Sequence, residues 1–534
     1  MGMGMGGMGE AAASYVKGGF TLFVGSLVSF IVMAVGSILV ARMLTPAEYG
    51  LYGVSFVLPS FFLLFSNWGV DTALTRFVSR YGSEGRRLEI WRLIRVGLLF
   101  NVGVGVVLSL VLFLSADFLS VLVLRRPTAG EFVRLASLLV LFQSLYSTVI
   151  SVLTGLERMD LRSAVGVFQA IVKGSSSPIL VYMGFGVSGP LIGQVLSYFV
   201  ASVVGVLLTF RSSPRPGEAG DASLVFRESL GLMLEFGLPL FFGGLLTGIA
   251  GRLQGFLLSW FVSDEAFGNY HVAMNFSMLV GLVTGSIAVT LFPAFSKLSH
   301  FLEPAKARGA FMGSVRYTSM LVIPLIILMA TVSKPLIYVL YTVRYPDSPL
   351  YLVMMLAPTL LVGLGSLSMG NFFNSQGDTR TSMKIGLVGS IVSILLSPVL
   401  IWKWGVFGLL VTLIISSVIR NTFGVYVLRK RYGFHSDVRH TFKTLVCSAV
   451  TAAVSYGIIQ FLPTSVPIFS LLLGSAVFFV VYLFLTPVTG VLDQQDISNL
   501  DYMLRAVPLV SFFALPLLGI ERKILGFMSS KGDA

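Results

Sequence analysis

Two cations stand where the sequence is otherwise strongly apolar. Lys173 lies in FQAIVKGSSSP and Arg252 in GIAGRLQGF, each inside a run long enough to cross a bilayer. A cation at the bilayer centre costs about 2.5–3.5 kcal/mol on insertion scales, so it must face protein, water or an anion. Two outcomes fit the residues alone: contact with an anionic ligand, or a structural fate in which Lys173 snorkels or pairs with a nearby acid. Acids inside the apolar runs are almost absent, which favours the ligand. Gln254 and Asn275, with Asn101, Gln143, Gln169 and Gln194, are polar positions that either line a hydrated path or bond between helices. Arg95, Arg134 and Arg420 stand nearer the ends of their runs, where snorkelling is the default. Glu235 sits at the start of its run, where a helix N-terminus stabilises an acid anyway.

Enzymatic chemistry has no foothold. No HExxH, CxxC, GxSxG or phosphate-loop pattern occurs, and the histidines at 271, 300, 435 and 440 are scattered. No catalytic residue, metal site or cofactor is expected. Cys447 is the only cysteine and lies in an apolar run, so no disulfide framework exists.

Composition sets the class. Hydrophobic residues make up 55% and charged residues 11%, with a mean hydropathy of +0.89. Apolar runs of about 20 residues recur along the chain, the length that spans a hydrocarbon core. The expectation is an all-α polytopic membrane protein of about fourteen transmembrane helices. The net charge of +13 does not signal nucleic acid, because Lys and Arg cluster in alternate loops. Loops carrying Arg76, Arg80, Arg158, Arg162, Lys297 and Arg429 face one side, and the sparser set with Arg125, Arg126 and Lys334 faces the other. The tally of about 26 against about 6 places both termini in the cytoplasm of a multi-pass cell-membrane protein.

The elements that position the cations form a repeat. Thr45–Tyr52 reads TPAEYGLY, and Ser263–Tyr270, 218 positions on, reads SDEAFGNY. Arg162 and Arg380 are also 218 apart, and Gly186-Val-Ser-Gly189 precedes Gly405-Val-Phe-Gly408 by 219. Six apolar runs separate equivalent points, an even number, so the halves share one orientation as a parallel repeat. The expected organisation is a disordered amino terminus at 1–17, a six-helix lobe at 18–210 and a cytoplasmic linker at 211–235. A second six-helix lobe at 236–428, two additional helices at 429–487 and a cytoplasmic tail at 488–534 follow. Within the tail, Ala506–Ile520 is too short and too proline-broken to span, and reads as a surface helix.

The repeated motif itself has a structural explanation. Thr45 suits an N-cap, Pro46 the first helical position and Glu48 the third position of a capping box. Ser263 is the matching cap. Gly50 and Gly268 permit close helix packing, and Tyr52 and Tyr270 suit the membrane interface.

ARMLTPAEYGLYG and FSNWGVDTALTRFVSRY, followed in the second half by FVSDEAFGNYHVAMNF, LFPAFSKL, FNSQGDTRTSMKIG and WKWGVFGLL, carry a family resemblance. Together they resemble the polysaccharide and oligosaccharide-lipid flippases of the multidrug/oligosaccharidyl-lipid/polysaccharide (MOP) exporter superfamily. The resemblance implies two six-helix lobes around a central cavity, with two helices added. It also implies alternating-access movement of a polyprenyl-(pyro)phosphate-linked saccharide from the cytoplasmic to the outer leaflet. Membrane lipids and glycan-assembly enzymes are the implied partners. Some members place cations in the cavity, a role that by position falls here to Arg252 and Lys173, with Gln254 and Asn275 beside the path. Members often hold an acid in the seventh span; here Gln254 stands in its place, which sets this chain apart from acid-linked ion coupling. Two rival readings are organic-cation or multidrug efflux, and a non-transporting scaffold for glycan assembly. Efflux of cations calls for buried carboxylates or aromatic cages.

Overall fold

The computed structural model describes residues 5–213, 226–298, 300, 303–434, 437–461, 466–505, 519 and 521–522. Among these there are helices and no β-strand. The expected surface helix at 506–520, apart from residue 519, and positions 214–225 of the expected linker lie outside the described residues, while 226–235 of that linker are already helical in α9.

The helices run α1 Met5–Met43, α2 Pro46–Val54, α3 Val57–Leu64, α4 Val70–Ser83, α5 Arg87–Leu122, α6 Gly130–Gly155, α7 Met159–Leu180 and α8 Ser188–Ser212. They continue with α9 Phe226–Phe261, α10 Asp264–Ser296, α11 Pro304–Thr331, α12 Ser333–Tyr341, α13 Ser348–Leu356 and α14 Ser366–Ser375. The chain closes with α15 Thr379–Tyr432, α16 Val438–Phe461, α17 Pro467–Thr489 and α18 Gln494–Arg505. Among the described residues eleven helical segments, one of them α2 with α3, are long and apolar enough to cross a membrane. The pair α13–α14, joined by a 3-10 turn and bent by 55°, makes a further broken span. That makes eleven to twelve candidate spans among the described residues, against about fourteen expected; α15 is broken at Gly405 and covers two of the expected runs, and the 33-residue α10 lies where the eighth was expected. Helix α1 begins at Met5, inside the glycine-rich stretch expected to be disordered. Once the apolar segment nucleates a helix, each further residue adds a backbone hydrogen bond at little cost.

The second apolar run is not one helix. It divides between α2 and α3 at Ser55 and Phe56, and ends at Trp68 and Gly69, whose positive φ of 49° and 83° turn the chain into the separate helix α4. The repeat, in contrast, is visible at the backbone of one glycine pair. Gly186 has φ 51°, ψ −131° and Gly405 has φ 56°, ψ −129°, a conformation essentially confined to glycine. The first half carries eight positions from Pro178 to Gly186 and the second seven from Pro398 to Gly405. The extra residue is absorbed as a π-turn at Val181–Phe185, the usual result of a one-residue insertion in a helix.

The chain divides into two compact units, Met1–Val272 with Ser393–Leu409, and Ala273–Val392 with Leu410–Ala534. Helix α9, first of the second repeat, belongs by its packing to the first unit. That unit has a core of Val70, Leu74, Phe77, Ile90, Ile94 and Met233. The second unit centres on an aromatic cluster of Phe295, Phe311, Phe372, Phe373 and Phe434. Within it α16 and α17 pack closely, with Ser455 Oγ donating to the Gly474 carbonyl at 2.7 Å. Helix α18 is held to α11 by Arg316, which pairs with Asp493 and Asp496, and by Asn499 donating to Tyr317 Oη at 2.9 Å.

Candidate functional site

All but one of the sequence-predicted site residues fall in the first unit; Asn275 falls in the second. The two copies of the repeated motif meet one another. At the start of α2, Thr45 Oγ1 accepts from the Glu48 backbone N–H at 3.3 Å, and Glu48 Oε2 accepts from the Thr45 N–H at 2.8 Å. At the start of α10, Ser263 Oγ accepts from the Ala266 N–H at 3.3 Å. The caps fix where each helix begins, and the glycines one turn later decide how the helices cross. A Cβ on Gly50 would lie 1.7 Å from the Asp264 carbonyl oxygen, and one on Gly268 would lie 2.1 Å from that of Pro46. Pro46 corresponds to Asp264 and Gly50 to Gly268 under the 218-residue repeat, so the crossing is locally two-fold symmetric. Tyr52, expected at the membrane interface, is 7% exposed and packs on Tyr49 and Phe56, with its ring centroid 6.0 Å from that of His271. Tyr270 is half-buried beside Phe267.

A clasp closes over this crossing. Arg126, in the loop after α5, donates to the Asp264 carboxylate and to the Ser259 and Val262 carbonyls at the end of α9. Those carbonyls have no partner inside their own helix, so the guanidinium satisfies groups that would otherwise be orphaned. Trp260 Nε1 donates to the Val123 carbonyl, and Arg125 lies 4.3 Å over the Trp260 ring. The sequence marked Arg125 and Arg126 only as sparse loop charges.

The membrane-depth cations have different surroundings. Arg252 on α9 donates through Nε to the Ser60 carbonyl at 2.8 Å and through Nη1 to the Gly248 carbonyl at 3.3 Å. These bonds aim the guanidinium without neutralising it. Lys173 on α7 is half-buried, and among the described residues no acid pairs with it. Gln254 donates to Ser393 Oγ at 2.6 Å. Asn275 donates to Tyr341 Oη at 3.4 Å.

One acid was overlooked. Asp71, in the first turn of α4, is 6% exposed. Its Oδ2 accepts from Ser147 Oγ at 2.7 Å and from Asn67 Nδ2 at 3.3 Å, and its Oδ1 accepts from Asn101 Nδ2 at 3.1 Å. It borders a cavity of about 530 Å³ that Thr72, Thr75, Arg76 and Phe236 also line. Within that lining the Arg76 guanidinium lies over the Phe236 ring, 4.1 Å from its centroid. Asp71 stands in the motif NWGVDTALTR, but its donors come from positions 67, 101 and 147, which only the fold brings together. Among the described residues no three His, Cys, Asp or Glu side chains cluster to hold a metal.

Comparison with known proteins agrees with this architecture. The chain is 22% identical over 384 residues to an uncharacterized membrane protein of Methanocaldococcus jannaschii, covering 68% of this chain and 74% of that one. It is 24% identical over 308 residues to the succinoglycan biosynthesis transport protein ExoT of Rhizobium meliloti, covering 57% of this chain and 58% of ExoT. In fold it is similar to the lipid II flippase MurJ in an inward closed conformation, with TM-score 0.69 at 15% identity over 88% of this chain and 98% of MurJ. It is also similar to an inward-facing multidrug resistance MATE family transporter of the MOP superfamily, with TM-score 0.62 at 15% identity over 76% and 94% of the two chains. The family described as polysaccharide biosynthesis protein matches residues 39–349, more than half of the sequence. With that match over more than half of its length, the chain belongs to the polysaccharide biosynthesis protein family.

Proposed function

We propose that this protein is a flippase that moves a polyprenyl-(pyro)phosphate-linked saccharide from the cytoplasmic to the outer leaflet of the cell membrane. The lipid tail stays in the bilayer while the anionic head crosses between the lobes at 18–210 and 236–428 by alternating access. The observation that carries this reading is the pair of cations, Lys173 and Arg252. They sit on helices of spanning length, and among the described residues neither has a carboxylate partner. Such groups persist at membrane depth when an anion or water compensates them. Gln254 and Asn275 add hydrogen-bonding capacity along the path.

Family membership and the likeness to a succinoglycan transport protein and a lipid II flippase support a saccharide-linked lipid as cargo. The loop charges support cytoplasmic termini. An anion moving outward across an inside-negative membrane gains about 2.3 kcal/mol per charge per 100 mV. A doubly charged head therefore needs no coupled cation to cross.

The test is transport in proteoliposomes loaded with a fluorescent polyprenyl-pyrophosphate saccharide. Replacing Lys173 and Arg252 together by Gln should abolish movement of the labelled lipid. Undiminished transport in the double variant would remove the basis for the reading. Export of an organic cation that survives that double substitution would instead point to multidrug efflux.

A further inference from the structure

The cavity beside Asp71 lies wholly within the first unit, and the transport reading leaves its groups unused. Its volume of about 530 Å³ falls in the range of about 300–1,000 Å³ usual for small-molecule sites. Such sites are mostly apolar, yet here Phe236 is the only lining side chain without a polar atom. Part of that polarity is already committed. Ser147 and Asn67 donate to Asp71 Oδ2 and Asn101 donates to Oδ1, so neutral donors fix the carboxylate without cancelling its charge. Thr75 Oγ1 donates to the Asp71 and Ser151 carbonyls. The rest is uncommitted. Among the described residues the Thr72 and Ser151 hydroxyls bond to no protein group, and the Arg76 guanidinium has no carboxylate partner. Stacking of Arg76 on Phe236 at 4.1 Å uses the face of the guanidinium and leaves its N–H groups, which lie in its plane, available.

The lining therefore carries one carboxylate and one guanidinium that do not pair with each other. A phosphate would be repelled by Asp71, and an organic cation by Arg76. Neutral hydroxyls meet neither repulsion, because each can donate to a carboxylate and accept from a guanidinium or a threonine. A sugar ring carries several such hydroxyls side by side, with C–H groups for the one apolar wall at Phe236. We infer that this cavity is a saccharide subsite, in which hydroxyls of one sugar unit donate to Asp71 and accept from Arg76, with Thr72 and Ser151 bonding their neighbours. Assigning that sugar to the head group of the cargo rests on the flippase reading; recognition of a neutral sugar does not.

The experiment uses the full chain in phosphatidylcholine nanodiscs and follows binding of methyl glycosides by saturation-transfer difference NMR. The probes are the methyl glycosides of glucose, galactose, mannose and N-acetylglucosamine, with inorganic phosphate and tetraethylammonium as competitors. At least one glycoside should bind the wild type saturably. Arg76→Gln and Asp71→Asn should each weaken that binding by about tenfold, the loss expected for a hydrogen bond to a charged group, and Thr72→Val by about threefold. Arg80→Gln is the control: one turn further along α4, Arg80 pairs with Glu84 at 2.8 Å and lies outside the cavity lining, so binding should be unchanged. Arg76 and Thr72 are exposed, so their replacement leaves the buried network in place and decides the test if Asp71→Asn misfolds. Saturable binding of none of the four glycosides overturns the inference, as does binding unchanged in both Arg76→Gln and Thr72→Val. Displacement of the glycoside by equimolar phosphate or tetraethylammonium also overturns it, in favour of a site for a charged ligand. If wild-type proteoliposomes move no lipid-linked saccharide while glycoside binding keeps its dependence on Arg76 and Thr72, the transport reading falls and the saccharide site stands. Transport by a protein whose glycoside binding ignores both residues leaves transport standing and removes this site.

Discussion

A single methyl group added at Gly50 should destabilise the protein more than most deletions of core atoms. The Cβ of Gly50→Ala would lie 1.7 Å from the Asp264 carbonyl oxygen, and real Cβ atoms essentially never come closer than 3.0 Å. Helices α2 and α10 would have to part by at least about 1.3 Å, the difference between those distances, and both partners there are backbone. Overpacking of this kind costs about 1–3 kcal/mol when side chains can yield, and rigid backbone places the site at the upper end or beyond. Gly268→Ala meets the Pro46 carbonyl at 2.1 Å and should cost nearly as much. Because both methyls enter one crossing, the first substitution opens the gap that the second needs. The double variant should therefore lose less than the two single losses combined. Thermal unfolding of the purified protein in detergent, followed by tryptophan fluorescence, measures the three variants. Gly103→Ala is the control: nothing lies within 4 Å of its Cβ, and helix propensity favours Ala by about 1 kcal/mol. A Gly50→Ala melting temperature equal to wild type, or strict additivity in the double variant, would refute the symmetric crossing.

Removing the Arg126 side chain leaves the Ser259 and Val262 carbonyls and the Asp264 carboxylate without their donor; Arg126→Ala should cost about 2 kcal/mol. The exchange Arg126→Asp with Asp264→Arg restores opposite charges but not the carbonyl bonds, so thermal melting should show only partial rescue. Asp71→Asn keeps the shape but turns one acceptor into a donor facing Ser147 and Asn101, and should lower stability by about 1–3 kcal/mol. A variant as stable as wild type would show that the network is not held by the carboxylate. At Gly186 a Cβ meets nothing within 4 Å, so Gly186→Ala isolates backbone strain, expected at about 1–3 kcal/mol and read by the same melts.

The fold was legible because membrane proteins write it in composition. Spans of about 20 apolar residues, alternating loop charge and a 218-residue echo were enough for an all-α multi-span fold with a repeated unit. The division of the second run at Ser55 and Phe56 was not legible, since GVSFVLP is apolar on both sides of a single serine. The site was legible in part. Lys173 and Arg252 announce themselves as charges in apolar surroundings. Asp71 does not, because it stands beside a turn where a polar residue needs no explanation.

What the residues by themselves determined is therefore local or periodic: which segments enter the membrane, where α2 is capped, and that the chain repeats. Such properties depend on transfer energies and on hydrogen bonds between residues three or four apart. What only the tertiary structure decided is long-range. It placed the two motifs against each other through Gly50 and Gly268, seated Arg126 on the end of α9, and gave Asp71 its three donors. A glycine in a sequence says that something comes close; only the packed helices say what.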